Sequence, residues 1–342
     1  LTLKGPRILH VITKKGKGYV PAEHDPIRFH SAVPFEIETG EPKVKDTQQE
    51  TYTEVFSKKL TELARENKRI VAITAAMPEG TGLDRFRDLY PERFFDVGIA
   101  EQHAVCFAAG LAKGGLRPVV AIYSTFLQRA YDQIIEEIAI QKSAVILAID
   151  RAGIVGADGV THQGAFDIGY LKNIPNLVLM APSSGVELEN MLELACKLDQ
   201  PAAIRYPKSD IPLPRLSSSP LQLGKAETVK EGGDFLIIGL GSMVFPCLEA
   251  IELLEKEGFA GGLINARFIS PLDKDLLIDK SSKVKFIFTA EEGILDGGFG
   301  DSVQDVLGEP VYKIGLPREF IPHGARNILL EKYGLTAKGI AS

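Results

Sequence analysis

Acids, imidazoles and guanidiniums placed directly after apolar strands mark where this 342-residue sequence could do chemistry. One such stretch is Phe95-Asp96-Val97-Gly98-Ile99-Ala100-Glu101-Gln102-His103-Ala104-Val105. Phe94 to Val97 predicts a short buried strand. From Ala100 the period is helical, with Ala104, Val105, Ala108, Ala109 and Ala112 as a small apolar face. Gly98 falls at the turn, where backbone without a side chain permits close approach. Glu101 then lies in the first helical turn at a strand's end, where open α/β sheets bind ligands. An acid there commonly complements the helix dipole and nothing more. The sharper reading is a carboxylate that shares a proton with a heterocycle, which requires matched geometry and pKa.

A second stretch follows the apolar strand Ala144 to Asp150 (AVILAID). Residues 151–164 (RAGIVGADGVTHQG) hold four glycines with Arg151, Asp158 and His162. Loops of that mix at the C-terminal end of a strand tend to be sites. His162 suits a proton donor to a developing oxyanion, since its unperturbed pKa lies near neutrality. Asp158 would orient it or bind a substrate hydroxyl, and Arg151 adds a fixed positive charge. The HxD/E and CxxC spacings of a metal site are absent there. The strand Val119 to Tyr123 feeds Ser124 to Gln133, in which Phe126 by itself reads as core. Arg129 and Asp132, three apart on a helix, could pair. Arg205 is a third arginine at a strand end. Glu291, Glu292 and His323 read as helix caps, a subunit contact or surface. By themselves Tyr19 reads as an anchoring aromatic, Lys14, Lys15 and Lys17 as a solvated turn, and His30 as structural.

These side chains need a scaffold. Hydrophobic residues make up 45% of the sequence, enough for a large core, and the net charge is −6. The lack of a long basic tract argues against nucleic acid as a partner. No apolar run approaches the roughly 18 residues of a membrane span. Cys106, Cys196 and Cys247 form no CxxC pair and sit in apolar helical stretches, which predicts buried thiols in a reducing, cytoplasmic setting. The sequence opens without Met, signal peptide or first-domain glycine fingerprint. Arg7 to Thr13 (RILHVIT) predicts a buried strand, and a lone core strand needs a sheet to join. Residues 1–50 are therefore expected to be the tail of an upstream α/β domain plus a polar linker. Residues 51–207 alternate helix and strand, an α/β unit with a mostly parallel sheet. A helix is expected over Thr51 to Asn67 and another from Ser183 to Leu198, capped by Ser183 or Ser184. Residues 208–222 form a Pro/Ser-rich linker. Residues 223–342 form a further α/β unit with strands at Phe235–Leu240, Gly262–Ala266 and Phe286–Thr289.

The blocks KKGKGY, DVGIAEQHAV, YSTFLQRAYDQ and DRAGIVGADGVTHQGAFD, taken together, resemble the 1-deoxy-D-xylulose-5-phosphate synthase family of transketolase-like thiamine-diphosphate enzymes. The resemblance runs from about residue 4 to the C-terminus. It implies an α/β fold: a thiamine-diphosphate-binding pyrimidine domain with a mostly parallel sheet, then a transketolase C-terminal-like α/β domain. It makes Glu101 the partner of the cofactor's aminopyrimidine, whose imino tautomer frees the thiazolium C2 carbon to act as an electron sink. It places Tyr19, Ile99 and Phe126 against the cofactor, with Phe126 stacked on the pyrimidine. His30, His162 and Asp158 become catalytic, and Tyr123, Arg129, Arg151 and Arg205 substrate-binding. Arg129 would meet the acceptor's phosphate, where a guanidinium binds two oxygens at once.

The implied reaction takes CO2 from pyruvate and joins the remainder to D-glyceraldehyde 3-phosphate, feeding isoprenoid, thiamine and pyridoxal synthesis. The implied enzyme is a homodimer, cytoplasmic or, in a plant, in the plastid stroma. The sequence departs from the family in one respect. The Mg²⁺ and diphosphate motif, Gly-Asp-Gly with an Asn roughly 25–30 residues on, is nowhere in it. Gly156-Ala157-Asp158-Gly159 is not that motif. The expectation is therefore no metal ligand in this chain, Mg²⁺ held by a missing N-terminal domain, and no activity for the chain alone. Alternatives are the beta subunit of a 2-oxo-acid dehydrogenase, a split transketolase, or a non-catalytic scaffold. The scaffold's mark would be loss of Glu101 or His162, and both are present.

Overall fold

Runs such as Ile70–Thr74 (IVAIT) and Ile146–Asp150 (ILAID) are buried at every position. That pattern belongs to parallel strands covered by helices on both faces. The computed structural model describes residues 4–26, 28–32, 34–43, 49–212 and 220–342. Two compact units, Leu1–Gln49 and Glu50–Ser342, divide the chain. The expected linker positions 44–48 and 213–219 lie outside the described residues.

In the larger unit the strands are β1 (Ile70–Thr74), β2 (Phe94–Asp96), β3 (Arg117–Tyr123), β4 (Ile146–Asp150), β5 (Val178–Met180) and β6 (Ala202–Arg205). They continue as β7 (Glu227–Lys230), β8 (Phe235–Gly239), β9 (Gly261–Asn265), β10 (Phe268–Ser270), β11 (Phe286–Ile294) and β12 (Tyr312–Leu316). The first sheet has the order β10-β5-β6-β4-β3-β1-β2 and is parallel except for β10. The second has the order β12-β11-β8-β9-β7, with β7 alone antiparallel. Strand β10 crosses the boundary expected at 223, leaving the downstream segment to pair with β5 at the edge of the first sheet. Strand β2 is an edge strand and only half-buried, which corrects the buried strand expected there.

The helices follow local rules. Thr51 caps the helix Tyr52–Glu66 through a reciprocal capping box with Glu54. Val55, Phe56, Leu60 and Ala64 of that helix are buried. The helix Glu101–Lys113 packs its small residues Ala104, Val105, Ala108 and Ala109 inward. Cys106 lies off that face and is exposed, contrary to the expected buried thiol; Cys196 is half-buried and Cys247 buried. Ser184 caps the helix Gly185–Lys197, and Ser183 binds the Glu187 carboxylate. No described helix is long and apolar enough to cross a membrane.

In the unit of residues 1–49, the segment Arg7 to Thr13 is neither buried nor a strand. Ile8 is 97% exposed and Ile12 85%. Its apolar pattern suits a strand, but a strand exists only with a hydrogen-bonding neighbour. Lys14 and Lys17 lie beside Glu23 at 2.6 and 3.9 Å in an exposed turn.

Candidate active site

The parallel strands of the first sheet end together, so the loops that follow them share one edge, where α/β sheets hold ligands. After β2, Asp96 accepts the backbone N–H groups of Ala76 and Gly98, tying that turn to the loop after β1. Gly98 takes a left-handed backbone (φ +70), and the helix begins at Glu101. Glu101 is 2% exposed. Its Oε2 is buried and accepts no hydrogen bond. Arg129 Nη1 stands 3.0 Å from that same oxygen, close enough for an ion pair but not aligned as a hydrogen bond. A buried carboxylate oxygen so left is costly unless something donates to it. Arg129 therefore pairs with Glu101 and not with Asp132, whose carboxylate accepts from Gln133. Ile99 sits on the turn just before, 75% exposed.

Tyr123, at the end of β3, stacks on Phe126 with ring centroids 5.8 Å apart. Phe126 meets the His162 ring edge-on at 5.2 Å, half-buried and not plain core. The Arg151 guanidinium lies 3.7 Å over the Tyr123 ring. Burial pushes the Tyr123 phenol up to about 12. Thr125 Oγ1 donates to the Thr161 carbonyl and fastens the turn that carries His162. Segment 123–129 thus belongs both to the Glu101–Arg129 pair and to the Tyr123–Phe126–His162–Arg151 cluster. It is a chain of short turns, an α-turn at Ser124–Leu127 running into a 3₁₀ turn at Gln128–Ala130, rather than one regular helix.

Arg151 follows β4 with a left-handed backbone (φ +60). Such strain costs on the order of 1–3 kcal/mol and persists where surroundings hold it. Its guanidinium reaches Asp150 at 3.3 Å, Asp158 at 3.4 Å and the Gly80 carbonyl. Asp158 also binds Lys208 at 2.7 and 2.9 Å. Burial works against the Asp158 carboxylate, but Lys208, Arg151 and His162 hold it below its ordinary range. Gly153 and Gly164 exchange backbone hydrogen bonds, closing the loop between them. His162 Nδ1 is 3.1 Å from Thr161 Oγ1.

Of the remaining expected site residues, Arg205 lies in the larger unit, whereas Tyr19 and His30 belong to the unit of residues 1–49. Arg205 is buried, donates to Asp167 at 2.9 Å and to the Glu292 carbonyl at 3.0 Å, and serves as an internal tie rather than an open anion receptor. Tyr19 packs against Phe29 and Phe35, with its hydroxyl on the Ile37 carbonyl, as an anchoring aromatic does. His30 is exposed in the turn Arg28–Ser31. Two residues escaped the sequence reading. Asp150, fully buried, is raised to about 6 by burial, partly offset by Arg151 and the Thr53 hydroxyl. Lys208, assigned to a linker, neutralises Asp158. An acid closing an otherwise apolar strand beside an arginine was the available signal for Asp150.

Among the described residues no cluster of His, Cys, Asp and Glu could hold a metal ion. The pyrimidine end of thiamine diphosphate does fit: the unbonded Glu101 oxygen lacks a donor, and Phe126 offers an apolar ring.

Residues 48–214 match the transketolase pyrimidine binding domain and residues 224–340 the transketolase C-terminal domain. The 1-deoxy-D-xylulose-5-phosphate synthase of Pelotomaculum thermopropionicum is 51% identical over 345 residues, 98% of this chain and 54% of that protein. That of Halothermothrix orenii is 49% identical over 99% of this chain and again 54% of its own length. The chain thus spans about half the length of the curated relatives it matches. A chain of a split-gene transketolase, solved as an inactive beta4 tetramer, is 32% identical and superposes with a TM-score of 0.77 over 86% of this chain and 96% of its own. Transketolase of Campylobacter jejuni, at 20% identity and a TM-score of 0.72, shares the fold. With both transketolase domains matched and 96% of a transketolase chain covered at 32% identity, this chain belongs to the transketolase family.

Proposed function

We propose that this chain supplies the pyrimidine-binding half of a thiamine-diphosphate site in an enzyme that makes 1-deoxy-D-xylulose 5-phosphate and CO2 from pyruvate and D-glyceraldehyde 3-phosphate. The observation that carries the reading is the buried Glu101 oxygen without a hydrogen bond, at the strand-end turn of a pyrimidine-binding fold. Relatives named for that synthase, at about half identity, support the reaction class. When bound, the cofactor would supply an electron sink at its thiazolium carbon. This chain's residues do the rest. Glu101 shares a proton with the aminopyrimidine, and Arg129 orients the carboxyl group. Phe126, between Tyr123 and His162, shields the ring from water. His162 donates a proton to the alkoxide that forms on the acceptor aldehyde, and Asp158 takes an acceptor hydroxyl. Arg151 and Arg129 face the acceptor's phosphate. Residues 51–207 and 223–342 are the two domains of this reading, with the Mg²⁺ and diphosphate ligands on the half that precedes them in its relatives.

A split arrangement, in which a second chain brings that half, is the other reading. It rests on the match to one chain of a split-gene transketolase. Both readings expect the isolated 342-residue chain to be inactive. The deciding experiment measures synthase turnover with thiamine diphosphate and Mg²⁺, for this chain alone and with the diphosphate-binding half supplied, beside the binding of an aminopyrimidine analogue to wild-type and Glu101→Gln chains. Analogue binding lost in Glu101→Gln, with turnover only in the assembled pair, is the expected result. Turnover by the chain alone, or binding indifferent to Glu101, would refute the division of the site.

A further inference from the structure

The loop 153–164 is gripped from the second sheet by one ion pair. Glu292, on β11, is 1% exposed. Its Oε1 accepts the Ile154 N–H at 2.6 Å and its Oε2 the Ser242 hydroxyl at 2.7 Å. Arg326, at the start of the helix Arg326–Lys332, donates to both oxygens, with Nη2 2.8 Å from Oε2. Its Nη1 also donates to the Ile154 carbonyl. The amide and the carbonyl of a single loop residue are thus held by the two halves of one pair. Burial opposes the Glu292 charge, but Arg326, Ser242 and Ile154 together hold its carboxyl below the ordinary range.

The loop's glycines record the same pressure. At Gly153 (φ +80) a Cβ would stand 2.4 Å from Glu292 Oε1. At Gly156 (φ +78) it would stand 2.7 Å from the Arg326 backbone nitrogen and 2.9 Å from the Gly324 carbonyl oxygen. Gln163 adds a further tie, accepting from Val155 N–H and donating to the Pro322 carbonyl. Among the described residues no hydrogen bond or ion pair joins Glu292 or Arg326 to Glu101 or Arg129.

We propose that the Glu292–Arg326 pair is a positioning device of the C-terminal domain: it sets the path of loop 153–164, and so where Asp158 and His162 meet a phosphorylated hydroxyaldehyde acceptor, without touching the pyrimidine side. The naming of that acceptor rests on the function proposed above; the grip on the loop does not. A buried bidentate pair suits the task because its planar fork fixes direction as well as distance. Displacing a positioned group by about 1 Å can cost on the order of a hundredfold in rate.

Two variants test it, Glu292→Gln and Arg326→Lys, the second keeping the cation while losing the fork. Amide hydrogen exchange is read in this chain, and turnover in the enzyme assembled with its diphosphate-binding half. The expected result is exchange at Ile154 and Val155 faster by about tenfold or more, with β4 amides unchanged. The kcat/KM for the aldehyde phosphate should fall about ten- to hundredfold while that for pyruvate stays within about twofold, and Arg326→Lys should recover part of the loss. Unchanged exchange at Ile154, or an equal fall in kcat/KM for both substrates, would overturn the proposal. If Glu292→Gln does not fold, Arg326→Lys alone decides the matter by the same two measurements. A wild-type assembly that ignores these substrates would refute the proposed function only, and the exchange data would still decide the role of the pair.

Discussion

Glu101 and Asp150 are both buried acids at strand ends, yet they differ in what surrounds them. Glu101 keeps an oxygen without a hydrogen bond, so Glu101→Gln removes a buried charge but little packing. Its melting temperature should change little, whereas binding of an aminopyrimidine analogue should be lost; a large fall in stability would show the acid to be structural. Asp150 is bonded to Thr53 and beside Arg151, but burial still lifts it from 3.8 to about 6. The folded state therefore binds the proton more tightly than the unfolded state. Stability contributed by Asp150 falls as pH rises from about 4 to about 6, by roughly 3 kcal/mol in all, and stays low above that. Asp150→Asn should flatten that part of the profile; equal slopes for both chains in melting-temperature measurements from pH 4 to 7 would sink the assignment. The placement of Glu101 and His162 after strand ends was legible because each sits in a motif. Asp150 and Lys208 were not, because their importance comes from burial and from a partner far along the chain.

Capping and loop closure act at the scale of elements. The Thr51 box that starts Tyr52–Glu66 predicts that Thr51→Ala costs about 1 kcal/mol, seen as a drop of a few degrees at most in melting temperature. Gly156→Ala should cost more, about 1–3 kcal/mol, since the backbone is left-handed and the new carbon meets backbone atoms that cannot swing away. A Gly156→Ala chain as stable as wild type in urea titration would contradict the packing described. Strands β3, β4 and β8 were readable from their apolar runs. Strands β7 (ETVK) and β12 (YKIGL) were missed because edge strands keep polar side chains, and β10 because three residues carry no period. The opposite error arose at Arg7 to Thr13, where apolar alternation is strong but no neighbouring strand pairs with it among the described residues.

At the scale of the whole molecule, the two sheets are joined by buried polar ties. Arg205, at the end of β6, binds Asp167 and reaches the Glu292 carbonyl of the second sheet. Removing one partner of a buried pair leaves the other unpaired, so Arg205→Met should cost about 3–5 kcal/mol by chemical denaturation. A loss below about 1 kcal/mol would restore Arg205 as a residue held in reserve for a ligand. The sequence by itself determined the α/β class, the strand-end positions of Glu101, Arg151 and His162, and the family resemblance. Periodicity and short motifs are local properties, and these features depend on nothing more. Only the tertiary structure decided that Arg129 faces Glu101 and not Asp132, that Arg205 is internal, and that β10 crosses to the first sheet. It alone placed Glu292 and Arg326 on the loop after β4. Those outcomes depend on which charges lose water together, and residues 138 and 172 positions apart meet at Ile154 only once both sheets are packed.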